Sequence, residues 1–379
     1  MKYFSIVIAV VILLSMTVTC SAKEYSFNIA DENFYAEKEI SEFRESIPSE
    51  IKDKLGNLTP KESDKADKYY DLNFFIQEIT TAIKDNLSST IYFFATVTSM
   101  VIISNVFERI SDSLNTKDLN KSFRFCTTLA IVIAIYTVQK SSFNIGVNLL
   151  KALTSIMTVI TPLMEAIYIS GGNTSLAAVN GTSIALTITI VEVIYSKILL
   201  PATAITLVLC SISAATDNNG LIYLSKSIRN LLTAGIVAVM ALTSIALSLQ
   251  SSLAASADRF SHRAIRFALG NYIPLIGGYV SESLSAFTGS LSMIKQFAGT
   301  TGIIVLLLII LPPMISLIMT RISLYLSSSV SGITGNDKVK ALLDDIGGIY
   351  TMLICICLSS SLTFIFALSV FCKSPLALG

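Results

Sequence analysis

Six ionisable residues lie within long apolar runs and are the first candidates for chemistry: Lys151, Glu165, Glu192, Lys197, Glu282 and Lys295. A charge in the middle of a bilayer costs at least about 2.5–3.5 kcal/mol on insertion scales, so such a residue marks a pathway or a pair by default. For Glu165 and Glu192, an ion or substrate pathway and a structural contact between helices are both open. Lys197 is expected to pair with Glu192 or to lie at the end of a span, with its ammonium in the interface.

The sequence lacks the short motifs that position catalytic groups. It contains no GxxxxGK[ST] phosphate loop, no HExxH and no GxSxG, and no GxGxxG follows a strand. The single histidine, His262, lies in a basic amphipathic segment, which argues against a histidine-based metal site. We therefore expect a protein that is not an enzyme and that uses no cofactor, no metal and no nucleic-acid partner.

The composition indicates a membrane protein. Of the residues, 53% are hydrophobic and 14% are charged, and the mean hydropathy is +0.69. Soluble domains carry about 25% charged residues. Because the apolar residues form long runs and do not alternate in short segments, the sequence predicts an all-α polytopic membrane protein and argues against a β-barrel.

Three parts of the chain differ in composition. Residues 1–22 have the charged start, apolar core and small-residue end of a cleavable signal peptide, with an uncleaved first span as the alternative. Residues 23–88 are predominantly acidic and are predicted to be an exported helical segment. Residues 89–379 are basic and apolar and are predicted to be the polytopic transmembrane domain, so the two parts face different surroundings.

The apolar runs predict about seven to eight transmembrane helices. Their approximate bounds are 91–107, 125–139, 146–169, 175–195, 198–216, 231–250, 303–320 and 346–371. The basic loop after the first run is expected in the cytoplasm, and so is the basic amphipathic helix 251–268. Eight full crossings do not satisfy both placements, so we expect one of the segments to be re-entrant or interfacial, and 143–170 is the favoured one.

The stretch 270–302 is too polar for a lipid-facing span and too poor in charge for a solvated loop. Its glycine and small residues recur every fourth position, and Pro274 with the Gly277–Gly278 pair predicts a helix break just before them. Broken backbone at membrane depth needs a cover of protein or a water-filled cavity. The candidate conduit or packing residues are Gly270, Asn271, Pro274, Gly277, Gly278, Ser281, Glu282, Ser285, Gly289 and Lys295.

This stretch resembles the signature region of the stage III sporulation protein AE family of endospore-forming bacteria. Its most specific part is Gly270, Asn271, Pro274, Gly277, Gly278 and Ser281, and the order of leader, acidic segment and polytopic body is similar over the whole chain. The resemblance implies a multi-pass protein of the mother-cell membrane around the forespore, with its N-terminal segment extracytoplasmic. It implies a secretion-like channel complex with other stage III sporulation membrane proteins.

The first hypothesis is that the protein forms or scaffolds a transmembrane conduit in that complex, within the lipid bilayer and as a candidate homo-oligomer. The alternative is a secondary transporter for a small metabolite or ion, in which Glu165, Glu192 and Glu282 serve as coupling or binding groups. A third hypothesis is a structural membrane anchor with no passage. Cargo and oligomeric state are not determined by the sequence.

Overall fold

The structure is a computed structural model that describes residues 72–113, 117–170, 173–216, 219–272 and 277–373, without the side chains of 253–294 and of some shorter stretches. The predicted signal peptide and residues 23–71 of the acidic segment lie outside these residues, whereas residues 72–88 of that segment are described and helical. The described part contains helices and no strand, which confirms the all-α prediction. The elements are α1 (Leu72–Ser113), α2 (Lys117–Ser170), α3 (Thr174–Ile190), a π-helical segment (Val191–Leu199), α4 (Leu200–Thr216), α5 (Asn219–Tyr272), α6 (Gly277–Ile333) and α7 (Asp337–Lys373).

Six helical stretches in the described ranges are long and apolar enough to cross a membrane: Asn73–Ile110, Phe125–Ser170, Thr174–Thr216, Gly220–Leu249, Ala298–Ile333 and Asp337–Val370. The predicted spans 125–139 and 146–169 lie in one continuous helix, α2, of 54 residues and about 80 Å. The predicted spans 175–195 and 198–216 are joined through the π-helical segment. The number of crossings and the re-entrant region stay predictions.

Helix α7 forms the centre of the described bundle. It packs against α2, α4, α5 and α6, and 67% of its most apolar window is buried, against 17% for the window of α5. Large side chains fill the space around it, among them Tyr168, Tyr195, Tyr350 and Phe364, all fully buried. We describe the depth of a residue on another helix by the residues of α7 that it lies beside.

The hairpin between α6 and α7 fixes how these two helices align with each other. Gly335 adopts a positive φ of 88°, and the side-chain oxygen of Asn336 accepts a hydrogen bond of 3.1 Å from the backbone N–H of Val339. The expectation that Asn336 caps the following helix is therefore confirmed. The two helices run antiparallel, because Gly302, well before the hairpin on α6, contacts Leu368, equally far beyond it on α7.

Candidate functional site

The predicted central stretch is divided between two helices. Helix α5 ends at Tyr272, and α6 begins at Gly277. Pro274 lies outside the described residues. The remaining candidates belong to helical backbone, in the last turn of α5 or the first turns of α6: Gly270, Asn271, Gly277, Gly278, Ser281, Glu282, Ser285 and Gly289. That they line a conduit stays a prediction.

Lys295, near the end of this stretch, is enclosed by protein. Its side chain is buried, and its ammonium lies 5.0 Å from the ring centroid of Tyr168 on α2, which is the geometry of a cation–π contact. One turn further along α6, a Cβ at Gly299 would overlap Cys372 of α7. The absence of a side chain at Gly299 thus lets α6 and α7 approach closely beside the lysine.

Glu165 points at a glycine on the neighbouring helix. A Cβ built at Gly181 of α3 would lie 2.6 Å from the carboxyl carbon of Glu165 on α2. The adjacent Asn180 is buried, and its amide nitrogen has no hydrogen-bond partner in the described part of the chain. Glu165 therefore packs between α2 and α3, and its place in an ion or substrate pathway stays a prediction.

Glu192 and Lys197 form an ion pair on the π-helical segment. The Lys197 ammonium is 2.9 Å from Oε1 of Glu192, and the two side chains are 64% and 56% exposed. Residues five apart diverge on an α-helix, but the wider π turn with its i→i+5 bonds brings them to one side. Pro201, just beyond the segment, supplies a cause for the wide turn, because its ring clashes with the carbonyl four residues earlier.

This ion pair lies on the outside of the bundle, about halfway along its length. Tyr195, between the two charged residues, is fully buried, and Ser359 and Thr363 of α7 are its polar neighbours. Both neighbours lie in the central part of the apolar run 346–371. The pair thus faces away from the bundle at the depth where a bilayer would be most apolar.

A polar stripe on α2 faces outward at comparable depth, and we name it the α2 stripe. It consists of five exposed residues: Asn144, Asn148, Lys151, Ser155 and Thr158. Their spacing of four, three, four and three residues places them on one helical face. The opposite face is apolar and buried, with Leu149, Leu153 and Ile156 among its residues.

Contacts at two glycines show which part of α7 lies beside the α2 stripe. Gly146 contacts Cys357, and Ile160 contacts Gly302, which also contacts Leu368. The stripe therefore runs along α7 from about the level of Cys357 towards that of Leu368, and Lys151 in its middle lies between these two levels. Only Lys151 of this stripe drew attention in the sequence, although the helical spacing of the other four residues was a usable signal.

An ionic cluster joins α5 and α7 near the N-terminal end of α7. Asp345 is buried and lies 3.3 Å from the ammonium of Lys226 and 3.8 Å from the guanidinium of Arg229. Arg229 also donates a 3.1 Å hydrogen bond to the backbone carbonyl of Asp345. The sequence does not indicate this cluster, because 116 residues separate Arg229 from Asp345 in the chain.

A glycine pair on α7 makes room for two guanidinium groups. A Cβ at Gly347 would lie 2.6 Å from a terminal nitrogen of Arg321, and a Cβ at Gly348 would overlap the guanidinium of Arg229. Arg321 on α6 also donates a 3.1 Å hydrogen bond to the hydroxyl of Thr351. Helices α5, α6 and α7 are thus held together through one short stretch of α7.

These features define a multi-span α-helical membrane protein with polar groups both between its helices and on its outward face. The comparisons give the particular family: a model for stage III sporulation protein AE matches residues 57–375. The chain therefore belongs to the stage III sporulation protein AE family, as the resemblance of 270–302 predicted, and membership of this family implies a role in sporulation.

A curated relative agrees with this assignment. The chain is similar to "Stage III sporulation protein AE" of Bacillus subtilis (strain 168), with 21% identity over 218 residues. The matched part covers 56% of this chain and 55% of the relative, so it spans about half the length of the relative. No solved structure matches the chain.

Proposed function

We propose that this protein is a non-enzymatic component of a channel complex between mother cell and forespore, where it forms or scaffolds a transmembrane conduit. It would lie in the mother-cell membrane around the forespore, with its N-terminal segment extracytoplasmic and with other stage III sporulation membrane proteins as partners. Family membership supports the sporulation role. The observation that carries the conduit is the outward-facing α2 stripe, which runs along α7 from about the level of Cys357 towards that of Leu368.

The α2 stripe is a poor surface for lipid. Lys151 alone would cost about 2.5–3.5 kcal/mol at the centre of a bilayer, and each amide of Asn144 and Asn148 adds a further penalty if it lacks hydrogen bonds. Polar side chains at this depth normally face a bundle interior or a water-filled cavity. Contact with water along the stripe removes these penalties, as a passage bordered by this helix would provide.

The passage would lie beside this bundle, bordered also by other chains. Around α7 the space is occupied by fully buried Tyr195, Tyr350 and Phe364, which supports packing in place of an opening there. A conduit wall formed jointly with neighbouring chains fits both this packed centre and the polar outward stripe. The third hypothesis, an anchor without a passage, gives no role to the stripe.

Water access distinguishes a conduit wall from a lipid-facing helix. We expect cysteines placed at Asn148 and Ser155 to react with a membrane-impermeant maleimide in membranes of sporulating cells. Val237 on α5 is the matched control, because it is 65% exposed on an apolar helix face and should remain unlabelled after substitution by cysteine. Labelling of the unsubstituted chain gives the background. Equal protection of all three positions would exclude a water-filled passage at the stripe.

A secondary transporter is the second candidate, and the position of Glu165 favours it. Its carboxylate lies against Gly181 of the neighbouring helix, and the preceding residue, Asn180, carries a buried amide nitrogen without a partner in the described part of the chain. Glu165→Gln keeps the shape and removes the charge, so it should stop spore formation in a coupled transporter while the complex still assembles. In a conduit or scaffold, the same variant should form spores at the normal frequency.

A further inference from the structure

The Glu192–Lys197 pair presents a different outward surface from the α2 stripe. It carries one charge of each sign, and its exposed neighbours are apolar, with Val193 41% and Ile198 52% exposed. A surface of this kind gives water little to solvate beyond the two charged groups. It nevertheless exposes an ion pair at a depth where lipid offers no hydrogen bonds.

One contact leaves both charged groups incompletely satisfied. An ammonium has three donors, and a carboxylate has about four acceptor sites. The 2.9 Å contact uses one of each. Taking such a pair out of water is favourable only when further hydrogen bonds satisfy what remains. The missing groups are therefore one more carboxylate for Lys197 and one more cation for Glu192.

An identical pair supplies both missing groups. Copies of a membrane protein are inserted in the same orientation, so rotation about the membrane normal brings equal depths together. Because the ammonium and carboxylate of one copy already meet at 2.9 Å, they lie at nearly the same depth. Glu192 of one copy can then meet Lys197 of the next, and Lys197 of the first can meet Glu192 of the next.

The helix surface leading to the pair has the shape that such an approach needs. Four of its exposed residues, at spacings of four, three and four, are small, namely Ala178, Thr182, Ala185 and Thr189, and Leu186 beside them is the large exposed side chain on this surface. Small residues let two membrane helices approach closely, and their contact adds van der Waals packing. This surface allows a second helix to approach closely, and the charges provide the main attraction.

We propose that a second copy of this chain packs against the face formed by Thr182, Ala185, Thr189, Glu192 and Lys197, and that the two ion pairs interlock across the interface. This association between copies does not depend on whether the α2 stripe borders a water-filled passage.

Charge exchange between copies provides the test. Two full-length copies with different affinity tags are co-expressed, and the fraction of one that purifies with the other from detergent is measured. Glu192→Lys copies carry two cations at the face, and Lys197→Glu copies carry two anions. For each variant, the fraction that purifies with a differently tagged copy of the same variant should fall by at least about tenfold, because the contacts across the interface then join like charges.

Mixing the two variants separates contacts between copies from contacts within one copy. Glu192→Lys copies co-expressed with Lys197→Glu copies should regain association, because every contact across the interface again joins opposite charges. A pair that acts only within its own chain gives no recovery on mixing, and that result would overturn the proposal. Association of the unaltered chain must also be observed, and a monomeric unaltered chain overturns the proposal equally.

Two further variants keep the test decisive. Lys84→Glu changes an exposed lysine of α1 in the same way and should leave association unchanged; a comparable loss there would show a general charge effect and refute the specific interface. The double variant Glu192→Lys with Lys197→Glu keeps one charge of each sign in every copy. It should associate like the unaltered chain even if the single variants accumulate poorly, and its failure to do so contradicts the interlocked arrangement.

Discussion

Replacing Asp345 by asparagine tests whether the ionic cluster holds the bundle together. The carboxylate is buried and lies 3.3 Å from the ammonium of Lys226 and 3.8 Å from the guanidinium of Arg229. Asparagine has nearly the same shape, so the variant removes the charge with little change in packing. Two cations then remain beside a neutral side chain.

The magnitude follows from the exposure of each partner. Removing one member of a buried ion pair costs about 3–5 kcal/mol. The side chain of Lys226 is 47% exposed, so water screens its share of the interaction. Arg229 is 20% exposed and keeps its hydrogen bond to the backbone carbonyl of residue 345. We therefore expect the Asp345→Asn variant to lower the free energy of unfolding by about 2–3 kcal/mol.

The free energy of unfolding is measured on the full chain in detergent micelles, by titration with sodium dodecyl sulfate while circular dichroism follows the helix content. Asp344→Asn is the matched control on the same helix. Asp344 is exposed and accepts a 2.5 Å hydrogen bond from Ser328, which asparagine can also accept. The charge of Asp344 also acts on Arg321, but Asp344 is exposed, so the control should change stability by no more than about 1 kcal/mol. Equal small losses in both variants would refute the reasoning.

Two glycine substitutions extend the same measurement to other helix contacts. Gly181→Leu should lower the free energy of unfolding by about 1–3 kcal/mol, because the new side chain displaces Glu165 between α2 and α3; Gly235→Leu, where a Cβ meets nothing within 4 Å, is its control and should cost nothing. Gly348→Leu should displace the guanidinium of Arg229 and lose about 2 kcal/mol. Its loss should add incompletely to that of Asp345→Asn, because both changes break one contact, whereas full additivity would contradict the arrangement.

The helix content and several local features were predictable because they depend on neighbouring residues. Long apolar runs require helices in a membrane, and Asn336 caps α7 through a residue only three positions away. That neighbouring apolar runs such as 125–139 and 146–169 share one continuous helix was not evident from hydropathy. Polar residues between apolar runs are compatible with helix when tertiary packing supports it.

The candidate site was predictable only in part. The helical spacing of Asn144, Asn148 and Lys151 is visible in the sequence, whereas their outward position depends on which face of α2 the other helices cover. The ion pair of Glu192 and Lys197 was considered from the sequence. Its geometry required the wide π turn, which residue spacing alone does not indicate.

The sequence by itself determined that this is an all-helical membrane protein of the stage III sporulation protein AE family, because hydropathy, helix periodicity and family residues are properties of the linear chain. Only the tertiary structure decided that Glu165 packs on Gly181, that Arg229 meets Asp345, and that the α2 stripe faces outward. The physical reason is that these contacts join side chains from separate helices. Their energies depend on which faces pack together and at what depth, and neither quantity is a property of any one segment.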